Sequence, residues 1–542
     1  MSRDDAHPGV VPMAFSRPAG FVDRHPRAAR RAAHLRRRLR ALFERYGYEP
    51  VEVPTLEYID LYHRQRIGDG LFHGLLSARL PDGAEFPARD LAASPDPHGL
   101  PPLAEAVHEV VLRPEFTAPV ARLVITELAE RVEPPALPWR LHYAGSVFRD
   151  LGVGPLRQRE FTQVGVERIG GPRRPGDLEI LQLACDGAEA LGLPDWHLTL
   201  GHAGYLAAVL AELEIPLGAR AAVAVGLDRA VRLRRKARGP QAVWAAYLPA
   251  RLPELRRRAT AAERARWSFL SDPAVDPQDP ALRDALPAAH AAWLRRSWGG
   301  HHGVAPAAID RLLSLADHFG APDDTLPALR AFCATDPARA ALDDLSATLA
   351  DLETLRGAPV DVGPAASRGI AYYTGLSFEL HTGGTANAYT DVCGGGRYDG
   401  LHTWMDARAR LTREVRGLPV PPRPDWLDGA LRGVGLSFGI ERLLSVPGLG
   451  APPQPRVVWV GYAAEDQRLP ALRAVAALRA GGAEVLFADG LEAAPSPRAT
   501  VRLVQRAGHL RPLDAPDAAP VAVPDLLETL RRAPDAQGEE PA

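Results

Sequence analysis

The alternation of hydrophobic and polar positions is clearest between residues 140 and 170, where it predicts two strands joined by a loop. Leu141, Tyr143 and Val147 give the first strand an apolar, β-forming character. The stretch 150–155 contains two glycines and a proline, which is typical of a loop. In the second strand, every second residue should lie on the same face. The residues on one of these faces are Phe161, Gln163, Gly165 and Glu167. An amide and a carboxylate on this face favour a polar ligand site; a solvated hairpin is the alternative.

Further helical and strand patterns flank this pair of strands. Apolar residues repeat at helical spacing between Pro26 and Gly47, and again over residues 175–191. Residues 218–358 are mostly helical in pattern, with interruptions at prolines and glycines, and residues 455–490 follow a β-α-β order. We therefore predict a sheet packed against helices, a helical stretch in the middle of the chain and a small α/β unit at its end.

Glu115 follows a short apolar run at residues 110–113 and precedes a helix that Thr117 opens. A carboxylate at the start of a helix accepts hydrogen bonds from free backbone N–H groups and sits near the positive end of the helix dipole. Glu115 is therefore either a capping residue or a ligand-binding residue, and the pattern alone leaves both open.

Length and charge narrow the possible functions. The 542 residues are enough for two to four domains of roughly 100–200 residues each. The net charge of -2 gives no global basic field that would attract nucleic acid. The chain has a single lysine, Lys236, so it contains no phosphate-binding GK[ST] loop. Lys236 lies in the cationic run RLRRKARG, which predicts a solvated helix face.

The three cysteines are far apart in sequence, which fits a reducing compartment and predicts neither a disulfide framework nor a zinc site. His301 and His302 have no Cys or His neighbour at ligand spacing, so we expect them in a surface loop and expect no bound metal. The chain has no run of roughly 20 apolar residues that would span a membrane, and no apolar N-terminal signal. We therefore expect a cytoplasmic protein.

Three motifs follow in the second half of the chain: SRGIAYYTGLSFEL, VCGGGRYDGL and VGLSFGIERLL. The glycine triplet lets backbone approach a ligand closely. Tyrosines on neighbouring strands can stack on an imidazole ring and bond its nitrogens, and arginines can converge on an anion. Each motif alone could instead supply core tyrosines and packing glycines; together they favour a site.

These motifs resemble the class II aminoacyl-tRNA synthetases, in the histidyl branch. The segment from Phe148 to Glu167, with Arg149, Arg157 and Gln163, is similar to motif 2 of that family, and the three later motifs are similar to its histidine-specific motifs and motif 3. The resemblance covers about residues 25–445. It implies an α+β fold: a class II aminoacyl-tRNA synthetase-like antiparallel sheet flanked by helices, with a helical insertion and a small C-terminal α/β domain.

The same resemblance implies a division of the chain. The expected parts are a loose N-terminal segment (1–24), the first part of the core with motifs 1 and 2 (25–217), a mostly helical insertion (218–358), the second part of the core with the histidine motifs and motif 3 (359–445), and a degenerate anticodon-binding-like domain (455–542). A homodimer formed by the core is expected as well.

The resemblance also implies which residues of this chain would form the binding site, at the positions that match the family's motifs. The implied histidine-binding residues are Glu115, Thr117, Gln163, Glu167, Arg368, Tyr373 and Tyr398. The implied nucleotide-binding arginines are Arg149, Arg157 and Arg442. If the chain is a synthetase, Arg368 and Arg149 would be catalytic, with ATP and Mg²⁺ as cofactors; otherwise the resemblance implies no certain cofactor.

Three positions depart from the synthetase pattern. Leu151 replaces a glutamate that contacts adenine, Phe116 replaces a glycine beside Glu115, and Ala371 replaces an aspartate before the tyrosine pair. Losing the adenine contact would weaken ATP binding by roughly 1–3 kcal/mol. The segment LGHAGYL is similar to a paralogue of the synthetases that regulates ATP phosphoribosyltransferase.

These departures favour the regulatory subunit of ATP phosphoribosyltransferase, a histidine sensor in the first step of histidine biosynthesis. Its partners would be histidine and a short-form catalytic subunit. The alternative is a histidine–tRNA ligase, which retained Arg149 and Arg442 favour and which would also bind tRNA. A stand-alone RNA-binding or scaffold protein is a third possibility, and the near-neutral charge opposes it.

Overall fold

The chain is represented by a computed structural model. It describes residues 17–62, 74–77, 110–129, 137–150, 158–239, 244, 248, 252–253, 255–272, 275–276, 278–364, 372–382, 390–415, 417, 419–420, 422, 431–450, 457–488, 499–506, 508–515 and 518–532. The chain divides into two compact units, Met1–Gly450 and Ala451–Ala542.

The first unit is built on an eight-stranded sheet with the order β1-β5-β6-β11-β10-β9-β7-β8. Its strands are β1 (Glu49–Pro50), β5 (Trp139–Phe148), β6 (Glu160–Ile169), β7 (Trp196–His202), β8 (Val360–Val362), β9 (Leu376–Thr382), β10 (Thr390–Arg397) and β11 (Gly433–Gly439). A smaller sheet pairs β2 (Leu56–Tyr58), β4 (Val110–Leu112) and β3 (Leu76–Ser77). Neighbours from β5 to β7 pair antiparallel, whereas β1 with β5 and β7 with β8 pair parallel.

Helices cover both faces of this sheet. The described helices of the unit are α1 (Pro26–Arg45), α2 (Thr117–Ala129), α3 (Arg173–Leu191), α4 (Ala203–Glu212), α5 (Leu217–Arg238), α6 (Ala261–Arg266), α7 (Leu282–His302), α8 (Pro306–Leu315), α9 (Pro322–Phe332), α10 (Asp336–Leu355), α11 (Asp399–Val415) and α12 (Ile440–Leu444). The predicted α+β architecture, an antiparallel sheet flanked by helices, is confirmed, with parallel pairing only at the two edges.

The main apolar core lies on one face of the large sheet. Leu39 of α1 and Ile180 of α3 are fully buried in the same cluster as Val166 of β6. Burying one such side chain contributes about 1.5–3 kcal/mol relative to leaving it in water. Because side chains alternate along a strand, Gln163 and Glu167 point to the opposite face. The strand pattern thus separates a packing face from a polar face.

A second apolar cluster forms above the polar face. It includes Val120 of α2, Tyr143 of β5 and Leu401 of α11, all buried. Helices α2 and α11 pack against each other there. The polar face is therefore covered by protein and removed from water along this part of the sheet.

Two sequence predictions for the middle of the chain were wrong. Lys236 is only 7% exposed, because α5 lies between the sheet and the other helices and its cationic side meets acidic strand residues. His301 and His302 lie in the last turn of α7, not in a loop. That helix continues to Gly303, whose positive φ of 64° ends it.

Helix α1 carries eight arginines and one glutamate, Glu44. Arg31 donates to the carbonyl of Leu449 at 3.0 Å and thereby fixes the helix to the end of the unit. The remaining seven arginines of α1 make no hydrogen bond or ion pair with any residue that the structure describes. They are Arg27, Arg30, Arg36, Arg37, Arg38, Arg40 and Arg45.

The second unit contains a four-stranded sheet of order β13-β12-β14-β15. Its elements are β12 (Val457–Tyr462), α13 (Arg468–Ala480), β13 (Glu484–Phe487), β14 (Ala499–Arg506), β15 (His509–Pro512) and α14 (Val523–Arg532). The predicted β-α-β order is confirmed at its start, since β12 and β13 pair parallel around α13. Among the described residues, the helices are all too short or too polar to cross a membrane.

Candidate functional site

Glu167 lies near the middle of the polar face and is 1% exposed. Three hydroxyl groups donate hydrogen bonds to its carboxylate: Thr117 Oγ1 to Oε1 at 2.7 Å, Tyr143 Oη to Oε1 at 3.3 Å, and Tyr398 Oη to Oε2. The three donors come from α2, β5 and the segment after β10, so the fold brings distant parts of the chain to one acid.

Burial raises the pKa of Glu167 to about 8, and the nearby charge of Glu115 adds to the rise. The hydroxyls of Tyr398, Thr117 and Tyr143 lower the pKa of the same group, because they bond its charged form. The carboxyl is therefore mostly protonated at pH 7. A cation placed beside it would favour the ionised form.

Glu115 caps helix α2. Its carboxylate accepts hydrogen bonds from the backbone N–H of Thr117 at 2.6 Å and of Ala118 at 2.9 Å. Burial raises the pKa of Glu115, and the two N–H groups together with Arg149 oppose the rise. The capping contact is present in the structure, and its orientation leaves Glu115 and Glu167 close enough to influence each other.

Tyrosine rings enclose this pair of acids. Tyr372 packs edge-on against Tyr373 and Tyr398, with ring centroids 5.2 and 5.9 Å apart. Phe116, which takes the place of the family's glycine, stacks on Tyr143 at 4.3 Å. Aromatic walls of this kind suit a flat, polar ring such as imidazole.

Glycines form the floor beside Glu167. Gly435 of β11 is the direct cross-strand neighbour of Glu167, and a Cβ there would lie 1.9 Å from Glu167 Oε2. Gly396 of β10 faces Gly435, and a Cβ on it would lie 2.8 Å from the ring of Tyr373. Because Gly435 and Gly396 have no side chains, Glu167 and the ring of Tyr373 can lie close against the sheet.

Gln163 lies on the same strand face, near the other end of β6. Its amide nitrogen donates to Ser437 Oγ at 3.3 Å. Its Oε1 is buried and accepts no hydrogen bond from the described part of the chain. A buried acceptor without a donor is costly, and a ligand N–H would satisfy it.

Two of the predicted nucleotide-binding arginines lie at the border of this face. Arg149 donates from Nε to the carbonyl of Pro114 at 2.6 Å, and its guanidinium lies 5.2 Å from the ring of Phe161. Arg442 donates from Nη1 to the carbonyl of Asp391 at 2.7 Å. The other predicted arginines, Arg157 and Arg368, and the departures Leu151 and Ala371 lie outside the described residues.

The fold thus gathers four of the predicted histidine-binding residues, namely Glu115, Thr117, Glu167 and Tyr398, into direct or adjacent contact. Sequence reasoning missed Tyr143 and Tyr372. A signal for Tyr143 was available, because pairing the two predicted strands places it opposite Gly165, and a Cβ on that glycine would lie 2.6 Å from its hydroxyl.

A second polar group occupies the same face of the sheet, on strands β9 and β10. Ligand atoms of Glu379, His381 and Asp391 lie within 4.8 Å of one another, close enough to hold a metal ion. However, Arg232 of α5 forms ion pairs with both carboxylates. These residues therefore do not fit a Mg²⁺ ion, which the ligase alternative would require, while Arg232 stays in place.

The arrangement as a whole can bind a small molecule that offers a cation or several N–H donors to Glu167, Glu115 and Gln163. The polar groups of the described pocket residues are carboxyls, hydroxyls and an amide, and they are hydrogen-bonded within the protein.

Comparisons with known proteins agree with the fold and the motifs. The model of the histidyl-tRNA synthetase family matches residues 20–77, 106–292 and 268–412, which together make up more than half of the chain. An ATP phosphoribosyltransferase regulatory subunit from Moorella thermoacetica is 28% identical over 87% of this chain and 92% of its own length. A histidine–tRNA ligase from Brucella ovis is 27% identical over 79% of this chain and 70% of its own.

A solved structure of a histidyl-tRNA synthetase has a similar fold. Histidyl-tRNA synthetase from a Nostoc species superimposes with a TM-score of 0.58 at 18% identity, covering 96% of this chain and 99% of that chain. The class II synthetase-like architecture predicted from the motifs is therefore confirmed. On the match of the family model, this chain belongs to the histidyl-tRNA synthetase family.

Proposed function

We propose that this chain is the regulatory subunit of an ATP phosphoribosyltransferase and that it senses histidine. Folds of this kind serve more than one function, and the side chains of the site distinguish among them. The observation that carries the proposal is the buried Glu167, bonded by Thr117, Tyr143 and Tyr398. On the same face of the sheet, Arg232 already pairs with the acidic residues Glu379 and Asp391.

Histidine has the groups that this pocket lacks. Its ammonium or imidazole N–H can donate to Glu167, and its ring can lie between the tyrosine side chains. A further N–H can satisfy the buried Oε1 of Gln163. The tyrosine hydroxyls and Thr117 hold the Glu167 carboxylate in position for this contact.

Regulation would follow from linkage between two sites. If histidine changes the affinity of this chain for a catalytic subunit, that subunit changes the affinity for histidine by the same factor. The similar regulatory subunit from Moorella thermoacetica supports this role, since the similarity extends over most of both chains.

A histidine–tRNA ligase is the second candidate. The Brucella ovis relative and the presence of Arg149 and Arg442 beside the polar face favour it. Leu151 in place of the adenine-binding glutamate and the ion pairs of Arg232 weigh against it. Because ligation needs ATP, the two candidates differ in a directly measurable activity.

Calorimetry of the purified chain with histidine is the first test. We expect one binding event, weakened at least about tenfold by Thr117→Val, which removes one hydroxyl from Glu167 while keeping the side-chain shape. Thr126→Val is the matched control, because Thr126 lies on the same helix, is exposed and bonds only backbone carbonyls of its own helix. Histidine binding to the control should be unchanged.

Two activity measurements separate the candidates. Histidine-dependent exchange between ATP and pyrophosphate would establish the ligase and overturn the regulator. A phosphoribosyltransferase whose rate rises on adding this chain and falls on adding histidine would support the regulator. A folded chain without any heat of histidine binding would contradict both candidates at the site proposed here.

A further inference from the structure

Arg232 of helix α5 is surrounded by acids. Its guanidinium forms ion pairs with Asp228 at 2.9 Å, with Asp391 at 2.8 Å and with Glu379. Glu379 is 2% exposed, and the side chain of Asp391 is 18% exposed. Arginine matches two carboxylates well, since its planar fork offers five donors.

This cluster lies on the same face of the sheet as the histidine pocket. Glu379 pairs in register with Gly394, which pairs with Ser437, which pairs with Gly165. Directly paired residues point to the same side of a sheet. Glu379 is therefore on the face of Gln163 and Glu167, separated from them by strands β10 and β11.

A second set of contacts fixes the orientation of His381. Arg235 Nη1 lies 2.7 Å from Thr199 Oγ1 and 3.1 Å from His381 Nε2, while His381 Nδ1 lies 2.6 Å from Asp391 Oδ1. Burial and the charge of Arg235 lower the pKa of His381 to about 4, so the ring is neutral. Arg235 donates to Nε2, and the proton on Nδ1 is donated to Asp391.

Acidic and basic side chains face each other in this cluster. Asp228, Glu379 and Asp391 supply carboxylates, and Arg232, Arg235 and Lys236 of α5 supply basic groups. Asp391 is held from two sides, because its Oδ2 pairs with Arg232 and its Oδ1 lies 2.6 Å from His381 Nδ1.

The cluster also reaches a predicted nucleotide-binding residue. Arg442, whose motif resembles motif 3 of the family, donates to the backbone carbonyl of Asp391 at 2.7 Å and lies 3.8 Å from its carboxylate. The guanidinium of Arg442 therefore lies beside the acid that Arg232 binds.

We propose that Arg232 is a specificity-determining residue: its guanidinium is the built-in counterion of Glu379 and Asp391, and it excludes a divalent metal from the Glu379–His381–Asp391 group. A metal needs the carboxylate lone pairs that Arg232 occupies, and the two cations repel each other at this distance. This part of the polar face is thereby closed to a divalent metal as long as Arg232 stays in place.

Titration with Mn²⁺ alone, followed by electron paramagnetic resonance, tests this exclusion. The unaltered chain should show no Mn²⁺ site that Asp391→Asn removes. Arg232→Gln, which leaves both carboxylates without their counterion, should gain one site that binds at least about tenfold more tightly than any on the unaltered chain, and Arg232→Gln combined with Asp391→Asn should lose it.

Arg234→Gln is the matched control, because Arg234 lies on the same helix and pairs instead with Asp317 at 3.1 Å. It should leave Mn²⁺ binding unchanged. A folded Arg232→Gln chain that gains no site overturns the proposal. So does a Mn²⁺ site in the unaltered chain that Asp391→Asn abolishes, and that titration needs no Arg232 variant to fold.

The contacts between helix α5 and the sheet do not depend on whether histidine binds. Histidine calorimetry can fail while the Mn²⁺ result stands, and the reverse is equally possible. The two experiments therefore report separately on the pocket around Glu167 and on the cluster around Arg232.

Discussion

Glu167 shows how a residue's surroundings set its charge. The strand pattern and the motif resemblance predicted its place on a polar face, and the structure adds the three hydroxyls that bond it. Those partners lie 24 to 231 positions away in sequence, so no local pattern could have identified them all. The same is true of Arg232 and Glu379, which are 147 positions apart.

The raised pKa of Glu167 predicts a specific pH dependence of stability. The folded carboxyl keeps its proton up to about pH 8, whereas the unfolded one ionises near its ordinary value, so raising the pH within this window favours unfolding. Between about pH 5.5 and 7.5, the free energy of unfolding should fall by about 1.4 kcal/mol per pH unit more in the unaltered chain than in Glu167→Gln.

Chemical denaturation at several pH values measures this difference. Glu353→Gln, on the exposed surface of α10, is the control and should follow the unaltered chain. Parallel curves for the unaltered chain and Glu167→Gln would show that the folded acid is already ionised at pH 6.

Gly435 should tolerate no side chain. Its Cβ would lie 1.9 Å from Glu167 Oε2 and 2.6 Å from the carbonyl of Val166, so Gly435→Ala should cost about 1–3 kcal/mol of stability and displace Glu167. Thermal unfolding and histidine calorimetry measure the two effects. Gly439→Ala on the same strand is the control, because its Cβ would meet no atom closer than 3.8 Å. Equal effects of the two substitutions would argue against the close packing at Glu167.

At the scale of elements, periodicity predicted the strands and helices around the motifs well. The two strands of the opening pattern are Trp139–Phe148 and Glu160–Ile169, and the later helix is Arg173–Leu191. The strands Ala499–Arg506 and His509–Pro512 were not predicted, since prolines surround them. Burial of Lys236 was not predicted either, because it depends on acids supplied by other elements.

Helix α1 should be destabilised by repulsion among its arginines. Burial, Arg38 and Arg37 lower the pKa of His34, which is consistent with a positive potential along the helix. Replacing Arg37 and Arg38 by glutamine should raise stability by a few tenths of a kcal/mol at low ionic strength. The gain should vanish near 1 M salt, where the screening length is about 3 Å.

Melting temperatures at several salt concentrations test this prediction. Arg339→Gln is the comparison, since Arg339 is exposed on α10 and pairs with Asp336 at 3.0 Å. That substitution should give no gain at low salt. A double variant that is less stable than the unaltered chain at low salt would mean that the arginines of α1 have acidic partners.

At the scale of the whole molecule, the chain consists of two compact units with separate cores. The described residues of the predicted site all belong to the first, Met1–Gly450. Its last residues matter for its own packing, because Leu449 accepts a hydrogen bond from Arg31 and Gly450 lies against Leu35. A division at this point should therefore leave the first unit intact.

A chain ending at Gly450 should keep its affinity for histidine within about threefold, a change below 1 kcal/mol. Calorimetry of the shortened and full chains measures this, with circular dichroism as the check on folding. Loss of binding by a shortened chain that is still folded would place part of the histidine site in the second unit.

The ion pairs of Arg232 also bear on how helix α5 is held in place. Removing one partner of a buried charge pair leaves the other without its counterion and costs several kcal/mol. Helix α5 and the two strands that carry Glu379 and Asp391 therefore stabilise each other, and a substitution on either side should loosen the attachment of this helix to the sheet.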